Sequence, residues 1–179
     1  MIVIFTTADG KAYQTKDGSL YAFDSDCFIT DRTSQDVARW KLLHDKGWEA
    51  MSQEEQTEWL TGMKGSYNYT DMNRVESAVE YLEIRFLEKG TKLSLTTKTD
   101  WTNTARPTKD DMRRYFRNVA AIRAAVKVNL GTPAAPTAET LFDYKKANDI
   151  EVILRAVDGW LNKVDSCQMY SGDLYLGEV

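Results

Sequence analysis

Met72, Val75, Val79, Leu82 and Phe86 recur at steps of three and four, which draws one continuous apolar stripe along a helix. The polar residues among them, Asn73, Arg74, Glu76, Ser77, Glu80 and Glu83, fall mostly off that stripe. Asn68 or Thr70 is placed to cap the helix, with Tyr69 beside the cap. Asp71 lies in the first turn, where the macrodipole favours a carboxylate. Arg74 and Glu76 are two apart and do not face each other, so each needs a partner elsewhere. Similar patterns mark further helices. "SQDVARWKLLHDKG" carries Val37, Trp40 and Leu43 and stops at Gly47, and "SQEEQTEWLTG" opens with Ser52 and Glu55 at capping-box spacing. A long helix is predicted from Thr108, with Pro107 before it and Asp111 in capping position, and a last one over about 143–163.

The first thirty residues read differently. "IVIFTT", "KAYQT" and "LYAF" are β-prone runs separated by Asp9-Gly10 and Asp17-Gly18, which predicts a three-stranded meander. After Gly90, "TKLSLTT" alternates Leu93 and Leu95 and predicts a strand. "NLGTPAAPTAE" holds two of the three prolines and predicts a linker near 128–138. The closing "MYSGDLYLGEV" reads as a hairpin or an extended tail. The expected fold is mainly α: a bundle of about four to five helices, a small N-terminal antiparallel β-meander and a short β-like C-terminal tail. Residues 1–30 form an attachment segment in this reading, and 31–179 the helical domain.

The stripe has an echo. Displaced by 75 residues, "FDYKKANDIEVILRAV" sets Asp143, Tyr144, Asn148, Ile150 and Glu151 against Asn68, Tyr69, Asn73, Val75 and Glu76. Two helices that begin with [ND]-Y-x-x-x-N-x-[VI]-E suggest a duplicated helical unit or a pseudo-symmetric pair. Asn73 and Asn148 then hydrogen-bond across the pair or to a neighbouring loop backbone.

Composition narrows the partners. A chain of 179 residues suits one domain, long enough to build a core without disulfides or metals. A net charge of −4 and a pI near 5.1 argue against nucleic acid. The arginines of "RRYFRNVAAIR" read as a solvated helix face whose stems cover apolar surface. No run reaches the length of a membrane span, and "MIVIFTTADGK" lacks the marks of a signal peptide, so a soluble chain made in the cytosol is expected. Cys27 and Cys167 are too few for a disulfide framework or a zinc site. They read as free buried thiols, with a bridge between them as the alternative.

Candidate chemistry is sparse. The single histidine, His44, sits near a helix C-terminus, where a cation is stabilised anyway. No metal-ligand spacing, phosphate loop or nucleophile elbow is present, and the carboxylate runs are explained by helix starts. No catalytic, cofactor or metal residue is assigned. The aromatics Trp48, Trp59, Tyr67, Tyr69, Trp101 and Tyr170 read as core corners and interface anchors, above all Trp48, Trp59, Trp101 and Tyr170, or alternatively as a carbohydrate platform.

Some of these residues also carry a likeness. "ITDRT", the "KGW" turn, "TEWLTGMKG", "YNYTDMNRVE", "KTDW", "YKKANDIEVIL" and "YSGDLYLGE" together resemble a segment of structural proteins from tailed phages and prophages of Firmicutes. The resemblance covers roughly residues 28–179. It implies a non-enzymatic component of a virion, in the tail, baseplate or fibre, assembled in the bacterial cytoplasm and working in several copies with other virion proteins. The chain lacks a repetitive shaft, which favours an adaptor, fibre tip or connector. A module binding host-surface glycan is the alternative, and a cell-wall hydrolase rests on carboxylate abundance alone.

Overall fold

The computed structural model describes residues 2–4, 22–24, 27–137 and 141–166. Five helices make up the body: α1 (Ser34–Lys46), α2 (Gln53–Thr61), α3 (Tyr69–Glu88), α4 (Lys109–Ala124) and α5 (Tyr144–Ser166), with a 3₁₀ turn at Trp48–Ala50. Each start carries a side-chain cap. Thr33, Ser52 and Thr108 accept the backbone N–H three residues on, and Asp36, Glu55 and Asp111 return the bond to the cap's own N–H. Asn68 caps α3 by accepting from the Thr70 N–H at 2.8 Å, and Asp143 caps α5 by accepting from Lys146 at 2.9 Å.

The core lies among α3, α4 and α5. Val75, Val79, Leu82 and Phe86 of α3 meet Tyr115, Phe116, Val119 and Ile122 of α4, with Ile150, Ile153, Leu154, Val157 and Leu161 of α5. Helices α1 and α2 form a satellite. Leu43 is the one fully buried residue of α1, α2 has none, and Met51 between them is also buried. The satellite is tied to the body at Gly65, where any Cβ would overlap the carbonyl of Asp36. Only glycine allows that approach.

Two sequence expectations are corrected. The three-stranded meander is not supported: strands β1 (Ile2–Ile4) and β2 (Ala22–Asp24) pair directly and antiparallel, Ile2 with Asp24, and "KAYQT" lies outside the described residues. In a meander the first and third runs would not be neighbours. "TKLSLTT" is not a strand either. Side chains take up part of its backbone instead: the Leu95 N–H donates to Glu83 at 3.0 Å, and the Thr96 carbonyl accepts from Arg114 and Asn118, both at 2.7 Å. Leu93 and Leu95 pack on the core as a strand's inner face would, but among the described residues no strand pairs with them. The linker near 128–138 is without helix over 128–137, and the expected C-terminal hairpin lies outside the described residues.

Candidate functional site

The polar residues that lead α3 and α5 converge. Asn148 on α5 clamps the peptide of Arg32 from both sides: its Oδ1 accepts the Arg32 N–H at 3.1 Å and its Nδ2 donates to the Arg32 carbonyl at 2.9 Å. Asn73 on α3 treats Trp101 in the same way, accepting its N–H at 2.8 Å and donating to its carbonyl at 2.9 Å. One helical turn on, the glutamates repeat the parallel. Glu151 accepts the N–H of Ile29 at 2.6 Å, and Glu76 accepts that of Lys98 at 3.3 Å. Each loop is therefore held at a residue and at the one three before it, by an Asn and a Glu three apart on one helix face.

Both glutamates are buried and ion-paired. Glu76 meets Arg114 of α4 at 2.5 Å, while Glu151 receives Arg32 and Arg74, each at 2.8 Å. Asp71 joins the second group, 2.8 Å from Arg32 and 2.6 Å from Arg74, so two guanidinium groups face two carboxylates. Burial alone would depress the Arg74 guanidinium. The Glu151 and Asp71 carboxylates more than reverse this and hold it above its ordinary value. Arg32 spans the group, since its Nη1 also donates to the Ile29 carbonyl at 2.8 Å and its guanidinium lies over the Tyr67 ring. The Tyr67 hydroxyl meets that of Tyr115, and burial above all holds both phenols above their usual range.

The echo extends well beyond the helix starts. Ile29-Thr-Asp-Arg-Thr33 and Lys98-Thr-Asp-Trp-Thr102 share T-D-x-T, and these are the two clamped loops. At the displacement of 75 residues, Thr33, Asp36, Val37, Arg39 and Trp40 of α1 match Thr108, Asp111, Met112, Arg114 and Tyr115 of α4. The buried positions Val75, Ala78, Val79, Leu82 and Phe86 match Ile150, Ile153, Leu154, Val157 and Leu161. Tyr67 and Phe142, also matched, touch edge to face at 4.8 Å. The two halves thus repeat one pattern, with the loops 69 residues apart and the helices 75 apart, and the long helix of each half, here called a copy, holds the loop of the other. Arg32 and Trp101 were not assigned these roles from the sequence. The T-D-x-T repeat is the signal that marks their loops.

The copies differ at α1. Arg114 reaches Glu76, but its counterpart Arg39 pairs with Glu58 of α2 at 2.7 Å. Tyr115 is sealed in the core, whereas Trp40 is half-buried and stacks on Trp59 at 6.2 Å between ring centres. Beside this pair, between the satellite and the head of α3, lies a cleft of about 380 Å³.

The sequence-assigned aromatics part company here. Trp59, Tyr69 and Trp101 line the cleft together with Trp40 and Tyr67. Trp48 is exposed on the 3₁₀ turn and is not among the lining residues, and Tyr170 lies outside the described residues. Trp101 is not an exposed anchor: it is 4% exposed because Asn73 pins its backbone against α3. Tyr144, at the head of α5, is half-buried with Lys145 over its ring. His44 is exposed and leans on Trp40. Cys27 is half-buried against the core, and Cys167 lies outside the described residues. Among the described residues no acidic, histidine and cysteine group is arranged to hold a metal, and no helix is long and apolar enough to cross a membrane.

No family model, curated protein or solved structure matches this chain. Its functional reading rests on its own geometry and on the resemblance in its sequence.

Proposed function

We propose that this chain is a non-enzymatic structural component of a tailed-phage or prophage-derived particle, associated with the tail, baseplate or fibre and working in several copies. The observation that carries this reading is the use made of its most chemical residues. Asn73, Glu76, Asn148, Glu151, Asp71 and Arg74 are all engaged with the chain's own loops and with each other. Such groups fix a shape rather than turn over a substrate. Leu42, Trp48 and Leu60 are exposed on the satellite, and Trp160 on α5, which offers apolar surface for neighbouring subunits. Light scattering of the purified chain, with mass spectrometry of particles, tests the proposal. An oligomer found in the particle fraction is expected; a strict monomer that never co-purifies with particles would overturn it.

A second reading, a carbohydrate-binding module of a tail tip, is favoured by one observation, the aromatic cleft beside Trp59 and Trp101.

A further inference from the structure

The duplication supplies an internal comparison for the cleft. Where the first copy has Trp40, the second has Tyr115, buried in the core at 1% exposure. Where the first copy has α2, the second has residues 128–136, which are without helix. The matched positions Phe142, Asp143, Tyr144 and Ala147 line a cleft of about 340 Å³ in the second copy, but its described lining holds the charged Arg32, Lys64 and Asp143 and no indole. In the first copy, Trp40 forgoes that burial and Trp59 is added opposite it.

The walls say what kind of ligand fits. They carry five aromatic rings, those of Trp40, Trp59, Tyr67, Tyr69 and Trp101, and none of the described residues lining the cleft is charged. In a chain 28% charged, that argues against a recognition surface for phosphate or carboxylate groups, which ionised donors hold most strongly. The volume falls within the range of small-ligand pockets, roughly 300–1,000 Å³. One donor stands ready: the Trp101 Nε1 is buried without a hydrogen-bond partner, and Asn73 holds the residue that carries it at both backbone groups. A buried N–H without an acceptor is costly unless something supplies one.

We propose that this cleft binds an uncharged saccharide, which rests on the carbohydrate-binding reading above and gives it a site. The apolar face of a pyranose packs on the Trp40–Trp59 wall, and a ring substituent oxygen accepts from Trp101 Nε1. The polar residues Ser66, Thr102 and Asn103 also line the cleft, the Ser66 hydroxyl donating to the Met63 carbonyl at 3.1 Å and the Thr102 hydroxyl meeting that of Thr104 at 3.1 Å. A proline-rich peptide also takes aromatic walls, but this polar lining suits a polyhydroxylated ring better.

The test uses the full chain on a neutral-glycan array, followed by calorimetric titration with the strongest neutral trisaccharide, its sialylated counterpart and decaproline. Trp59→Ala is expected to weaken the neutral sugar by about tenfold or more. Trp101→Phe, which keeps a ring and removes the N–H, is expected to weaken it by a smaller factor with little change in melting temperature. Trp160→Ala, on an exposed indole of α5, is expected to leave affinity unchanged. Since Trp59 lies on the satellite, its variant keeps the test decisive if Trp101→Phe fails to fold. Sugar binding that survives both cleft variants within about twofold overturns the site and leaves the carbohydrate reading standing. Absence of any neutral-glycan binding overturns both, and competitive binding of decaproline assigns the cleft to a peptide instead.

Discussion

Asn148 and Asn73 each satisfy one N–H and one C=O of a loop peptide far away in sequence. Replacing either with Leu strands those groups and is expected to cost about 1–3 kcal/mol of stability, measured by denaturant melting. The glutamates should not be equal. Glu151→Ala leaves Arg32, whose side chain is 2% exposed, without one of its two carboxylates, and is expected to cost about 3–5 kcal/mol. Glu76→Ala leaves Arg114, whose side chain is 15% exposed and has a path to water, so a smaller loss is expected. Equal losses would mean that burial of the partner does not decide the cost. These roles were only half legible. Spacing shows that Arg74 and Glu76 each need outside partners. It cannot show that Arg32 reaches Glu151, because the pair is 119 residues apart and no local pattern marks such a contact.

At the scale of elements, the helices were legible because their caps and stripes are local. The four box-type starts at Thr33, Ser52, Asn68 and Thr108 are written within four residues each. The segment after Gly90 was not legible, since Leu93 and Leu95 alternate as strand residues do while their hydrogen bonds come from helices. The caps also carry a pH dependence. Hydrogen bonds from the Thr33 side chain and backbone, and likewise from Thr108, hold the Asp36 and Asp111 carboxyls below their usual value of 3.8. A depressed carboxyl favours the folded state above its unfolded pKa, and that contribution is lost as pH falls through the folded one. Stability is therefore expected to be flat from neutrality to about pH 4 as far as these groups act, and to decline below it. Thermal melts across that range check this, and Asp36→Asn with Asp111→Asn should flatten the decline.

The whole molecule is held together by exchange. The loop of the first copy lies on α5 and the loop of the second on α3, so neither copy completes its polar contacts alone. Residues 1–95, expressed separately, are expected to show no cooperative melt, and adding residues 96–179 should restore one. A cooperative transition in the first half by itself would contradict the exchange. From the sequence, the nine-residue echo pointed to a duplicated helical unit or a pseudo-symmetric pair. Its full extent needed the structure, because the α1 and α4 starts match in chemistry while their helices pack differently.

The reciprocal loops also set a schedule for synthesis. Arg32 and Ile29 are made early, yet Asn148 and Glu151 follow more than a hundred residues later. At about 5–20 residues per second, the gap lasts roughly 6–24 s on a ribosome. During that interval the N-terminal loop has neither its clamp nor one of its two carboxylates. The nascent chain stays open until α5 emerges, so the fold cannot close before residue 151 has been made.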